Sequence, residues 1–202
     1  MTYSSTGYKE RYKTYAEYLT TDLGTDGNFR LLSNGEVIEL PPEDEENICI
    51  ASELTYALKQ VVTPRRLVRS SATEIQVHPV GDNRVNREPD VMVLRPEHIE
   101  IMSTIKKSAI LFGMPAPAFV AEIVSVGSES SANYKRDYEW KRQQYQDWEI
   151  PEYWIVDRHR QKVTVLVLAD GVYKENVYRD REIIQSKEFP TLSLSADQVL
   201  AG

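Results

Sequence analysis

Cysteine is almost absent from this 202-residue chain, in which Cys49 is the single thiol. An internal disulfide is therefore excluded, and a reducing compartment such as the cytoplasm is expected. Because Cys49 lies in an apolar run, we expect it to be a buried small residue. No apolar run approaches the roughly 18–20 residues of a membrane helix, and the charged, Tyr-rich N-terminus lacks the apolar core of a signal peptide. These absences predict a soluble, cytoplasmic protein with no membrane partner.

Histidine is also scarce, and several catalytic motifs are missing. His78, His98 and His159 are scattered without an HxH or HxxxH spacing, which argues against a zinc site. The chain contains no GxxxxGK[ST], GxGxxG or GxSxG sequence. A P-loop, a dinucleotide-binding fingerprint and a nucleophile elbow are therefore not indicated.

Basic residues are outnumbered, but only in one stretch. The 24 Lys and Arg residues face 31 Asp and Glu residues, for a net charge of −7, so a generic basic nucleic-acid coat is excluded. Residues 36–53 contain seven acids and no base, which accounts for the whole excess. The rest of the chain is balanced and can still face an anionic partner.

The hydrophobic pattern predicts strands interleaved with two long helices, and hence an α/β domain with a central mixed sheet flanked by helices. Asn34-Gly35 and Asp170-Gly171 each predict a hairpin, and Ser195 begins a capping box. We expect a flexible segment over residues 1–12 and one domain over residues 13–202. The predicted helices are 14–23, 45–62, 130–148 and one after Ser195; the predicted strands are 29–32, 37–40, 73–77, 91–94, 119–124, 153–156, 163–168 and 172–177; and 96–117 is expected to be irregular or partly helical.

Three charged residues lie where the pattern predicts burial, which is costly unless the charge is paired or binds a metal. Glu122 lies within the strand FVAEIV, both faces of which are apolar, although a salt bridge or a strand end in solvent would also explain it. Asp90 opens the strand DVMVL directly after Pro89, where a simple turn is the alternative.

Lys141 is the third residue, in the middle of an aromatic helical stripe formed by Tyr134, Tyr138, Tyr145 and Trp148. A lysine with a buried stem and an exposed ammonium, or an i,i+4 pair with Asp137, would explain it without a function. Two carboxylates from separate strands with a nearby lysine nevertheless suit metal-dependent hydrolysis. Hard oxygen ligands favour Mg²⁺ or Mn²⁺, which polarise a phosphate and activate water.

Several segments carry a family resemblance. Pro89-Asp90, EIVS at 122–125, RDYEWKRQQY at 136–145 and IPEYWIVD at 150–157 resemble the Uma-type putative restriction endonuclease family of the PD-(D/E)XK nuclease superfamily. The similarity extends from NGEVIELPPEDEEN at 34–47 to FPTLSLSADQVL at 189–200. It implies a restriction-endonuclease-like core and Mg²⁺-dependent cleavage of DNA by a metal-activated water.

The resemblance also implies roles for individual residues. Asp90 and Glu122 match the two acids of the superfamily and would hold the metal. The superfamily lysine usually follows two residues after the second acid, where this chain has Val124, so Lys141 from the helix is the matching candidate. Relatives often add a glutamate from the first core helix, which leaves Glu46 and Glu53 open; Ser125, Asp137 and Tyr145 are further candidates.

The leading hypothesis is therefore a DNA endonuclease, acting on duplex DNA as a homodimer by analogy. A nuclease-fold module that binds DNA without cutting it is the alternative, and would explain Val124. A carboxylate-dependent glycosidase that needs no metal is a third reading. The candidate contacts to DNA phosphates are Arg65, Arg66, Arg69, Arg84, Arg87, Lys135, Arg136 and Arg142, with the basic turn 158–162 as a further possibility.

Overall fold

A computed structural model describes residues 11–21, 23 and 27–202. Its helices are α1 (Tyr15–Thr20), α2 (Glu45–Val61), α3 (Pro96–Ile105), α4 (Ala132–Lys135), α5 (Lys141–Asp147) and α6 (Ala196–Ala201). Its strands are β1 (Phe29–Leu31), β2 (Val37–Glu39), β3 (Val68–Ser70), β4 (Glu74–Gln76), β5 (Asn86–Arg87), β6 (Val91–Val93), β7 (Ala109–Ile110), β8 (Phe119–Ile123), β9 (Glu152–Asp157), β10 (Lys162–Ala169) and β11 (Val172–Tyr178).

The core of the fold is a six-stranded mixed sheet in the order β11-β10-β9-β8-β6-β3. Strands β8 and β9 are parallel, and their neighbours pair antiparallel. Every residue of β8 and β9 is buried, because helices or loops cover both faces of these inner strands. Helices α2 and α6 pack on this sheet. The predicted mixed sheet flanked by helices is confirmed.

Two smaller sheets lie outside the six-stranded sheet. The predicted hairpin β1–β2 is present, but its loop spans residues 32–36 and only Gly35 of the Asn-Gly pair has a positive φ, +86°. A three-stranded sheet, β5-β4-β7, lies beside it, and Val85 donates its N–H to the carbonyl of Leu31. The hairpin and α1 bury a second apolar cluster that includes Tyr12 and Phe29.

The connection from β8 to β9 is a helix interrupted at its centre. The sequence predicts one helix over 130–148, whereas the structure has α4, then a π-helical turn (Arg136–Trp140), then α5. Hydrophobic spacing does not predict the interruption, because the stripe of Tyr134, Tyr138, Lys141, Tyr145 and Trp148 already fits a regular helical period. Such single π turns are often found at functional sites.

Other differences concern short elements and one residue. Strands β3 and β5 were not predicted, and the 96–117 region contains α3 and β7. Cys49 is exposed, so its predicted burial is wrong; its neighbour Ile50 faces the core instead. Residues 1–10 of the predicted flexible segment lie outside the described residues, whereas Tyr12 is buried and donates its N–H to Gly35.

Candidate active site

The register of β6 and β8 brings the two predicted metal ligands together. Val91 pairs with Ala121 in this antiparallel ladder, so one step further along Asp90 lies across from Glu122. Directly opposed residues of an antiparallel pair project from the same face, with Cβ atoms about 4.5–5.5 Å apart. Asp90 Oδ2 also accepts the Ile123 N–H at 2.6 Å, which fixes this carboxylate at the strand end.

Both oxygens of Glu122 are held by helical side chains. Glu122 is only 2% exposed. The Tyr145 hydroxyl donates to Oε1 at 2.5 Å, and the Lys141 ammonium donates to Oε2 at 2.8 Å. Lys141, whose side chain is 12% exposed, is thus an ion-pair partner of Glu122, not a side chain that extends into solvent.

Asp137 completes the ion-pair network. Its Oδ1 lies 3.0 Å from Lys141 Nζ, and the Arg136 guanidinium donates to both of its oxygens at 2.9 and 3.0 Å. Arg136 also donates to Ser125 Oγ at 2.9 Å, and the Ser125 N–H contacts Asp137 Oδ2 at 3.3 Å. The network therefore ties the end of β8 to the helix that follows.

The π-helical turn explains why three side chains spaced by four residues all face the sheet. In an α-helix, positions four apart advance by about 40° around the axis, so three such positions diverge. The wider turn at Arg136–Trp140 offsets this advance between Asp137 and Lys141. Asp137 and Tyr145 are both fully buried, and Lys141 lies between them.

The charges of the site shift its protonation equilibria. Burial, together with the nearby Glu122 carboxylate, raises the pKa of Asp90 well above its usual range, against the opposing effects of Lys141 and the Ile123 N–H. Burial by itself would lower the pKa of Lys141, but Asp137 and Glu122 outweigh it and raise this pKa. Burial likewise opposes ionisation of Asp137, but Lys141 and Arg136 hold its pKa below the ordinary value. Lys141 is therefore a cation at neutral pH.

Asp90, Glu122, Lys141 and Arg136 line one open cleft of about 840 Å³, whereas Asp137 is not part of its lining. We call the lining residues Glu43, Asp90 and Glu122 the carboxylate side of the cleft, and Arg30, Arg84, Arg87 and Arg136 its cationic side. Glu88 also lines the cleft and pairs with Arg30 at 3.1 Å.

The carboxylate side fits a hard divalent cation. Asp90, directly before β6, and Glu122 of β8 are neighbouring oxygen donors, and burial together with the repulsion between the two carboxylates raises the pKa of Asp90. Within residues 11–21, 23 and 27–202, no group of three His, Cys, Asp or Glu side chains is arranged to hold a metal. A cation held by two carboxylates, with water and substrate supplying the other ligands, is typical of Mg²⁺.

The glutamates proposed from the first core helix do not reach the cleft. Glu46 and Glu53 are exposed on α2 and do not line it. Glu43, which precedes α2, does line it and contributes to the raised pKa of Asp90. The sequence offered little signal for Glu43, because acids before a helix are usually a solvated helix start.

The family model of Uma2, described as a putative restriction endonuclease, matches residues 15–197. The chain belongs to the Uma2 family. This confirms the resemblance that the sequence segments indicated.

A structural neighbour supports the Uma2 fold. The chain is similar to the crystal structure of a putative nuclease belonging to DUF820 from Anabaena variabilis, with a TM-score of 0.61 and 19% identity, over 91% of this chain and 95% of the other. At that identity the likeness shows the fold alone. A comparison with curated proteins gives no match. Among the described residues, no helix has the length and apolarity needed to cross a membrane.

Of the candidate phosphate contacts in this Uma2 chain, three line the cleft: Arg84, Arg87 and Arg136. Arg142 instead pairs with Glu175 of β11, at 2.9 Å. The basic turn also contributes, because Arg158 and His159 line the cleft. The candidates that do not line it are Arg65, Arg66, Arg69, Lys135 and Arg142.

Proposed function

We propose that this protein is a metal-dependent endonuclease that hydrolyses phosphodiester bonds of duplex DNA, with Mg²⁺ or Mn²⁺ as cofactor. The observation that supports it most is the meeting of three groups in one open cleft: the carboxylates of Asp90 and Glu122, from adjacent strands, and the ammonium of Lys141, from the following helix. Family membership supports the same reaction class.

In this proposal Asp90 and Glu122 hold the cation. When bound, the cation supplies charge neutralisation and activation of a water molecule. Tyr145 and Lys141 hold the Glu122 carboxylate in one orientation, so the ligand is preorganised before substrate binds. Because its pKa is raised, Lys141 stays protonated and stabilises negative charge that develops on the phosphate, instead of accepting a proton.

The position of Lys141 favours the enzyme over the alternative of a non-catalytic DNA-binding module. Val124 stands where the superfamily lysine is usual, and its side chain is fully buried in the core. Lys141 delivers an ammonium to within 2.8 Å of Glu122 from the neighbouring helix instead. The missing lysine at position 124, which motivated the non-catalytic alternative, is thus replaced by Lys141.

Plasmid cleavage in Mg²⁺ or Mn²⁺ tests the proposal. We expect wild-type protein to cut and Glu122→Gln and Asp90→Asn to lose detectable cleavage, because each substitution removes a proposed metal ligand. Glu53→Gln is the matched control, since Glu53 is an exposed glutamate outside the cleft, and it should cut like wild type. Equal cleavage by Glu122→Gln and Glu53→Gln would refute the assignment of the site.

Lys141→Met separates the role of the ammonium from metal binding. We expect it to reduce the cleavage rate even at saturating Mg²⁺. A wild-type protein that binds duplex DNA in EDTA with salt-dependent affinity, yet cuts nothing in either metal, would favour the non-catalytic module.

We further propose that two copies act together on the two strands of a duplex. A single copy has one cleft with one pair of opposed carboxylates in the described residues. Light scattering after size exclusion should give a dimer mass, and plasmid should be linearised without a long-lived nicked form. A monomer that only nicks would contradict this proposal.

A further inference from the structure

The cationic side of the cleft contains more positive charge than its own acids neutralise. Arg87 donates through Nη1 and Nη2 to the two oxygens of Asp82, both at 2.9 Å, and through Nε to Gln144. In this bidentate ion pair, Arg87 contacts both oxygens of the Asp82 carboxylate. Arg84 reaches the same carboxylate only through Nε, at 3.1 Å. One acid is therefore shared by two guanidinium groups.

Arg84 is the incompletely paired member of this cluster. Among the described residues, its Nη1 and Nη2 have no hydrogen-bond partner, whereas Arg136 uses all its nitrogens on Asn133, Ser125 and Asp137. The Arg84 side chain is only 16% exposed, yet it lines the cleft. Burial, with further contributions from the cations of Arg87, Arg136 and Arg30, lowers the pKa of Arg84 to about 10 despite Asp82.

The loop that carries Arg84 is held rigidly. Gly81 has φ +62° and lies so close to the Trp140 ring of the π-helical turn that no Cβ would fit between them. Asn83 also adopts a positive φ, and its carbonyl accepts the Ser33 N–H of the β1–β2 hairpin. Arg84 itself forms a backbone bridge with Leu32. The free edge of the guanidinium is thus presented by a preorganised loop.

We propose that Arg84, supported by Arg87 and Arg136, forms an anion subsite that binds a backbone phosphate flanking the phosphate that a cation at Asp90 and Glu122 would bind. The subsite stands on the charge and geometry of the cluster, while the assignment of its ligand to a DNA strand rests on the proposed function. The cleft then has two sides with separate tasks, one for the cation and the reacting phosphate, and one for the phosphate beside it. A guanidinium with two free donors matches a phosphate oxygen pair.

Thermal unfolding with inorganic phosphate tests the subsite without any cleavage. Phosphate is titrated in EDTA against sodium chloride of equal ionic strength, for wild type, Arg84→Gln, Arg84→Lys and Arg142→Gln. Arg142 is the control, since it is an ion-paired arginine outside the cleft. Wild type and Arg142→Gln should be stabilised more by phosphate than by chloride. Arg84→Gln should lose this excess, and Arg84→Lys should keep part of it.

Salt-dependent binding of a labelled duplex in EDTA tests the source of the phosphate. Arg84→Gln should weaken binding and reduce the slope of log K against log salt by about one, whereas Arg142→Gln should leave the slope unchanged. Arg84→Lys retains the charge, and its slope should equal that of wild type.

The outcomes separate the subsite from the proposed function. The subsite is overturned if phosphate raises the Tm of wild type no more than chloride does. It is also overturned if phosphate raises the Tm of Arg84→Gln as much as that of wild type. If Arg84→Gln loses the stabilisation by phosphate but keeps the wild-type slope of log K against log salt for duplex binding, the assignment of the ligand to a DNA backbone phosphate is overturned. If phosphate and slope results both hold but wild type cuts no DNA in Mg²⁺ or Mn²⁺, the subsite stands and the proposed endonuclease fails.

Discussion

The Tyr145 hydroxyl offers a sharp test of how Glu122 is held. Tyr145→Phe removes one oxygen from a fully buried side chain and leaves its ring packing unchanged. The lost contact is a 2.5 Å hydrogen bond to Glu122 Oε1. A hydrogen bond to a charged group contributes about 1.5–3 kcal/mol, so we expect a loss of that size in the free energy of unfolding.

Tyr153→Phe is the matched control. Tyr153 is also fully buried, and its ring packs edge-on against Tyr145 at a centroid distance of 5.0 Å. Its hydroxyl donates to the backbone carbonyl of Asp137 at 3.3 Å, which is a neutral acceptor at a longer distance. The same substitution should therefore cost only about 0.5–1.5 kcal/mol.

Urea unfolding at neutral pH in EDTA measures both losses, and equal m-values would show that each variant unfolds like wild type. The excess loss of about 1–1.5 kcal/mol for Tyr145→Phe corresponds to roughly 2–6 °C in Tm for a chain of this length. In a Glu122→Gln background, Tyr145→Phe should cost no more than Tyr153→Phe. Equal losses for the two tyrosines in the wild-type background would refute the charge-assisted bond.

Three further outcomes follow from the structure. The raised pKa of Asp90 means that metal-free protein loses stability as pH rises from about 3.9 through the folded value; thermal scans in EDTA should show no such loss for Asp90→Asn, and Mg²⁺ should stabilise wild type only. Asp157 has a lowered pKa, because hydrogen bonds from Tyr138 and Arg160 outweigh burial; its stabilisation is present above about 3.9 and is lost as pH falls below it, so Asp157→Asn should flatten the acid limb. Gly81→Ala should cost more than Gly113→Ala in urea unfolding, since both have positive φ but only Gly81 faces Trp140; the backbone cost is about 1–2 kcal/mol for each, and overlap adds about 1–3 for Gly81 alone. Equal losses for the two glycine variants would contradict the close packing of this loop.

The main elements could be predicted because each depends on local information. The Asn34-Gly35 and Asp170-Gly171 hairpins, helix α2 and the capping box at Ser195 all appear where the sequence indicates them. Strands β3 and β5 were missed because they lie in the charged segments RRLVRS and RVNRE, which show no apolar alternation.

The three central candidates were found because their charges contradict an apolar pattern. The structure brings Asp90, Glu122 and Lys141 to one cleft. Glu43 and Arg84 carried no such contradiction, since both lie in polar segments where charged residues are ordinary. The exposed Glu46 and Glu53 were candidates for the site because the sequence places them on the first core helix. A helical position does not by itself show whether a side chain reaches the cleft.

The sequence by itself determined most of the strands and helices, which turns are possible, and which charges need a partner, since these depend on neighbours within a few positions. Only the tertiary structure decided which charges meet. The register of β6 and β8 opposes Asp90 to Glu122, and the π-helical turn aligns Asp137 and Lys141. The fold also placed the loop of Arg84 against Trp140. These contacts join distant segments, and their distances follow from packing that no local pattern encodes.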